Sequence, residues 1–150
     1  MNMHITADDG HTFDAYAVAP AGNNRRPAVI VLQEIFGVNH EMRRITEKYA
    51  QLGYHAVCPD LFSRLKPNIE LTDKTDEEWQ QAFEYMNRFD VDRGIKDVQA
   101  CITQVRKLPG CNGRVGAVGF CLGGKLAFLT ATRTDIDASV GYYGVALETL

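Results

Sequence analysis

The sequence has no apolar run approaching the roughly 18 residues that a transmembrane helix needs. Its start, Met1-Asn2-Met3-His4-Ile5-Thr6, lacks the hydrophobic stretch of a signal peptide. Both absences predict a cytoplasmic protein with no membrane partner. Basic clusters are equally scarce: none exceeds the pairs Arg25-Arg26 and Arg43-Arg44, and the formal net charge is −3, which argues against nucleic acid as a partner. The cysteines, Cys58, Cys101, Cys111 and Cys121, form no C-x-x-C pair and have no histidine at zinc-finger spacing. A metal site is therefore not expected, and free thiols are expected over disulfides. There is no internal repeat, low-complexity tract or dividing linker. Histidine, finally, stops early: the four are His4, His11, His40 and His55.

What is present is an ordinary globular composition, 45% hydrophobic and 23% charged over 150 residues, enough for one domain with a sizeable core. Met3–Thr6 and Phe13–Ala19 flank Asp8-Asp9-Gly10 and read as a β-hairpin. Ala28–Leu32 is a continuous β-branched run, the pattern of a strand covered on both faces. Met42, Ile45, Tyr49 and Leu52 recur at helical spacing before a stop at Gly53, and Tyr54–Cys58 reads as the next strand. Thr75-Asp76-Glu77-Glu78 resembles a capping box, and the stripe of Trp79, Ala82, Phe83, Met86 and Phe89 behind it is expected to pack into the core. A further helix carries Ile95, Val98, Ile102, Val105 and Leu108. Ala138–Tyr143 reads as a last strand. Strands alternating with helices after an antiparallel start predict an α/β fold with a mostly parallel sheet, whose ligands bind beyond the C-terminal strand ends.

One stretch carries more chemistry than the rest. Val115, Ala117 and Val118 read as a buried strand and Lys125–Thr132 as a helix, joined only by Gly119-Phe120-Cys121-Leu122-Gly123. This is the pattern of a nucleophile elbow, with glycines that let backbone segments pass closely while the central residue sits in a strained turn. Cys121 is then a candidate nucleophile, its thiolate expected to be favoured by the positive end of the helix dipole. The plainer alternative is a small buried thiol in a tight turn. Glu34, just past a buried strand, is costly there without a partner; a helix-capping or solvent-facing role is its plainer alternative.

Two separated sets of residues, Gln33-Glu34-Ile35-Phe36-Gly37-Val38-Asn39 with Val57-Cys58-Pro59-Asp60-Leu61, and Gly119-Phe120-Cys121-Leu122-Gly123-Gly124 with Gly141-Tyr142-Tyr143-Gly144, resemble the dienelactone hydrolase family of the α/β-hydrolase fold. The resemblance implies that Cys121 is the nucleophile, that Glu34 pairs with its thiol, and that the backbone N–H groups of Ile35 and Leu122 form an oxyanion hole. It implies a hydrolase of lactones or activated esters, acting on a small-molecule substrate through a thioester and without a cofactor.

The chain also departs from that pattern. The order expected of the fold is nucleophile, acid, histidine, yet no histidine follows Cys121, and the downstream carboxylates are Asp135, Asp137 and Glu148. The two aspartates follow the elbow helix and are expected at the wrong end of the sheet. The simplest expectation is a single domain over 1–150 that is the N-terminal portion of a longer one, lacking the C-terminal strands and helix with the Asp and His that the hydrolysis is expected to need; a short natural form that has lost hydrolysis, or a base borrowed from His40, are the lesser alternatives. The strand at 138–143 would then have an uncovered edge through which the chain could self-associate. The arginine that the resemblance implies near position 79 is Trp79 here, and neither Arg64 nor Arg88 matches it, which puts a carboxylate-bearing lactone in doubt. Two competing classes remain: a non-catalytic binding or redox-sensing protein in which Cys121 is oxidised rather than acylated, and a glutamine amidotransferase-like enzyme, against which Gln33-Glu34-Ile35-Phe36-Gly37 is not a Gly-rich loop.

Overall fold

The computed structural model describes residues 1–150. The first turn signal folds as the hairpin pattern requires: β1 (Met3–Thr6) and β2 (Thr12–Val18) pair antiparallel, with Gly10 at φ +88°. The apolar runs form β3 (Arg26–Leu32), β4 (His55–Pro59), β5 (Cys111–Phe120) and β6 (Ala138–Tyr142). Between them lie α1 (His40–Gln51), α2 (Asp76–Arg88), α3 (Val91–Arg106) and α4 (Leu122–Arg133). All six strands join one sheet in the order β1-β2-β4-β3-β5-β6. β2 meets β4 antiparallel, whereas β4, β3, β5 and β6 run parallel. The expected α/β architecture is therefore present.

Alternation along the central strands sends side chains to both faces. Ile30, Leu32, Val115 and Ala117 join the larger cluster with Ile95, Val98 and Ile102 of α3 and Leu126 of α4. Val29, Val31 and Val118 meet Met42 of α1 on the other face. Each such fully buried aliphatic side chain contributes about 1.5–3 kcal/mol relative to exposure. Caps fix the helix starts: Asn39 Oδ1 accepts from Met42 N at 3.1 Å, and Thr75 Oγ1 from Glu78 N at 3.2 Å.

Three details differ from the sequence reading. α4 starts at Leu122 rather than Lys125, because Gly124 N and Lys125 N already bond to Cys121 O at 2.9 and 3.2 Å. β5 starts earlier, at Cys111, with its register against β3 shifting between Arg26 and Ala28. The stripe on α2 is not all core. Only Ala82 is fully buried there, Met86 and Phe89 pack partly against the larger cluster, and Trp79 and Phe83 remain 37% and 46% exposed. The reason is that α2 lies beside the loop after β3, not against the sheet: Trp79 packs edge-on to Phe36, with ring centroids 5.0 Å apart. All four cysteines are free, and three of them are buried. No helix is long and apolar enough to cross a membrane.

Candidate active site

Three parallel strands, β3, β5 and β6, lie side by side, so Glu34, Cys121 and Tyr143, the residues just past their C-terminal ends, come to one rim. Close backbone packing makes the rim possible. A Cβ on Gly119 would lie 1.8 Å from Gly123 O, and one on Gly123 would lie 2.2 Å from Leu32 O. Only glycine at both places lets α4 start this close to β3 and β5. Cys121 itself takes φ +58° and ψ −116°, a strained conformation for a residue with a Cβ. Its N–H is anchored to Tyr142 O at 3.1 Å. The elbow expected from the glycine spacing is thus present, with Cys121 half-buried rather than entombed.

The charge state of the sulfur differs from the expectation. Burial pushes the Cys121 thiol up, the Leu122 N–H pulls against it, and the negative charge of Glu34 adds to the rise. Desolvation and a like charge thus outweigh the Leu122 N–H, the reverse of the expected balance. No hydrogen bond joins Cys121 to Glu34. The carboxylate instead accepts from the Tyr143 hydroxyl, at 2.8 Å from Oε1. Tyr143 is 68% exposed; partial burial and the bond to the Glu34 carboxylate push its phenol up to about 12. Tyr143, at φ +39°, is a second strained residue on the rim. The sequence placed it at a strand end without a role; the costly carboxylate at Glu34 was the signal that some partner had to exist.

The loop that carries Glu34 is fixed from behind. Gln33 is fully buried, its Oε1 accepting from Leu61 N at 3.0 Å and its Nε2 donating to Glu34 O at 3.1 Å. Gly37, at φ +78°, would place a Cβ 2.1 Å from Ile69 O. The 69–72 segment is stitched on by Leu71 N to Phe36 O at 2.9 Å and Asn39 Nδ2 to Leu71 O at 2.9 Å. Ile35 is buried, and no acceptor in the chain takes its N–H. Ile35 and Leu122 thus follow the ends of the neighbouring strands β3 and β5.

Among the other sequence candidates, His40 lines a groove with Glu34, and the rest lie elsewhere. His40 opens α1 on its exposed side and bonds to neither Cys121 nor Glu34. Asp135 and Asp137 sit at the opposite end of the sheet, as expected: both pair with Arg106, and Asp137 Oδ2 accepts from Val115 N at 2.8 Å. Arg64 is held by buried Asp97 at 2.8 Å and by Asp9 at 2.9 Å, and Arg88 by Glu84 at 3.4 Å. No group of three or more histidine, cysteine, aspartate or glutamate side chains could hold a metal ion.

Comparison with known proteins places this geometry. The dienelactone hydrolase family model matches residues 13–149. A carboxymethylenebutenolidase of Pseudomonas putida is 44% identical over 146 residues, covering 97% of this chain and 61% of that protein. A putative carboxymethylenebutenolidase of Azospirillum brasilense is 44% identical over 153 residues, covering 99% of this chain and 64% of its own length. Among solved structures, a putative dienelactone hydrolase from Klebsiella pneumoniae superposes with a TM-score of 0.78 at 27% identity, over 93% of this chain and 58% of that one. The chain thus spans less than two thirds of the length of the relatives it matches. By the family match over nearly its whole length, the chain belongs to the dienelactone hydrolase family.

Proposed function

We propose that this protein hydrolyses lactones or other activated carboxylic esters, with Cys121 as nucleophile. The observation that carries the reading is Cys121 held at φ +58° between glycines that cannot bear a Cβ, on the rim that also presents Glu34. Cys121 Sγ attacks the ester carbonyl carbon while the thiol proton passes to the Glu34 carboxylate. The tetrahedral oxyanion accepts from the Ile35 and Leu122 N–H groups. Collapse breaks the C–O bond, and the leaving alkoxide or enolate takes the proton back from the Glu34 carboxyl. Water then cleaves the thioester to the carboxylic acid and restores the thiol.

Attack by a thiol through a thioester suits substrates with good leaving groups. An enolate leaves with little protonation, whereas an amide nitrogen needs a general acid. A lactone substrate is in keeping with the name of the relative from Pseudomonas putida, carboxymethylenebutenolidase. Turnover of p-nitrophenyl acetate by the whole protein tests the reading. Cys121→Ala is expected to abolish it, and Glu34→Gln to lower kcat by about a hundredfold, the usual worth of a positioned base. Full activity in Cys121→Ala would overturn it.

A further inference from the structure

Between the end of β3 and the Glu34 carboxylate the chain buries a glutamine completely, an uncommon place for a side chain with both donors and an acceptor to satisfy. Both ends of the Gln33 amide are engaged. Oε1 accepts from Leu61 N at 3.0 Å, so the end turned to the Glu34 loop is the NH2 group, and Nε2 donates to Glu34 O at 3.1 Å. The Gln33 main chain is held as well: a Cβ on Gly123, two residues past Cys121, would lie 2.7 Å from Gln33 O. Gln33 therefore rests its backbone against the start of the elbow helix and grips the next peptide with its side chain.

That next peptide joins Glu34 to Ile35. It is planar and trans, so its C=O and its N–H point in opposite directions and turn only as one unit. A donor fixed on Glu34 O consequently sets the direction of the Ile35 N–H. This N–H has no acceptor in the chain although Ile35 is buried, whereas buried backbone donors are nearly always paired. The grip is braced from behind: Leu61 is itself buried and begins the segment whose Leu71 N bonds to Phe36 O at 2.9 Å.

Resting on the ester-hydrolase reading above, we propose that Gln33 is a positioning residue of the reaction: by holding the rigid Glu34–Ile35 peptide at its carbonyl, it aims the Ile35 N–H at the oxyanion that forms when Cys121 attacks. Gln33 touches neither the substrate nor the sulfur. Its hydrogen bonds stand before the reaction begins, so the donor needs no reorientation as negative charge develops.

The test compares p-nitrophenyl acetate with its thiono analogue, in which sulfur replaces the carbonyl oxygen, on the whole protein. Sulfur accepts hydrogen bonds weakly, so the oxygen ester gains from an aimed N–H and the thionoester gains little. Gln33→Met keeps the length of the side chain and removes its NH2 group. It is expected to lower kcat on the oxygen ester by about a hundredfold, the worth of a displacement of about 1 Å, with KM within about twofold. The thionoester is expected to slow far less. Alkylation of Cys121 by iodoacetamide, a displacement that forms no oxyanion, is expected to keep its rate, which a disordered elbow would not allow. Equal slowing of the two esters overturns the proposal. A second measurement needs no variant. A trifluoromethyl ketone converts Cys121 to a hemithioketal oxyanion, and the Ile35 amide proton of the unaltered protein is expected to move downfield in its NMR spectrum; an unmoved Ile35 signal overturns the proposal. Failure of p-nitrophenyl acetate to acylate Cys121 in the unaltered protein removes the hydrolase reading and this proposal with it, whereas acylation and turnover left unchanged by Gln33→Met remove this proposal alone.

Discussion

At the scale of single residues, Cys121 shows how function and stability pull apart. Positive φ costs a residue with a Cβ about 1–2 kcal/mol, and the strain is kept because it turns Sγ out at the strand end. Cys121→Gly and Cys121→Ala both delete the sulfur, but only glycine relaxes at φ +58°. Urea denaturation is expected to find the glycine variant more stable than the alanine one by about 1 kcal/mol; the reverse order would show that the turn is unstrained. The elbow was legible in the sequence because glycines two residues either side of a cysteine have few other uses. The protonation state was not, since the balance between burial, the Glu34 charge and the Leu122 N–H depends on how deeply the turn sits. Nor was the bond from Tyr143 to Glu34, which joins positions 109 apart in the chain.

Among the elements, the segment from the end of β4 to α2 does most to shape the site. Its anchor is Asp60, 1% exposed, whose Oδ2 accepts from Asn68 N at 2.8 Å while Oδ1 has no partner. Burial raises this carboxyl from an ordinary 3.8 to about 6, with the Asn68 N–H opposing and the charge of Asp14 adding. The sign follows from proton counting. Between pH 4 and 6 the unfolded chain has released the proton that the native state still holds, so stability falls as pH rises through this window. The penalty is complete above pH 6, at about 3 kcal/mol for 1.36 kcal/mol per decade. Asp60→Asn should therefore stabilise the protein at pH 7.5 but not at pH 4, by urea midpoints; equal effects at both would show that Asp60 is ionised without penalty. In the sequence Asp60 reads as a turn residue after Pro59. Its burial arises only when residues 61–70 fold over it, as does the diversion of Trp79 and Phe83 away from the core. Helical spacing marks a face but does not say what that face meets.

For the whole molecule, alternation of strands and helices foretold a mostly parallel sheet, whereas the strand order rests on pairings distant in sequence. β6 lies at the edge of that sheet, with Val140 52% and Tyr142 48% exposed on the α1 side. Such an open apolar edge invites pairing. Sedimentation of the 150-residue polypeptide by itself is expected to show a mass that grows with concentration, and Val140→Lys to suppress the growth; a concentration-independent monomer would contradict this. The central claim, however, concerns one sulfur atom. Its most direct test is intact-mass measurement of the whole protein mixed with p-nitrophenyl acetate, followed by peptide mapping. The account predicts a single added acetyl group on Cys121, formed more slowly in Glu34→Gln and absent in Cys121→Ala. An acetyl group that persists in Cys121→Ala, or no adduct under conditions where the ester is turned over, would contradict it.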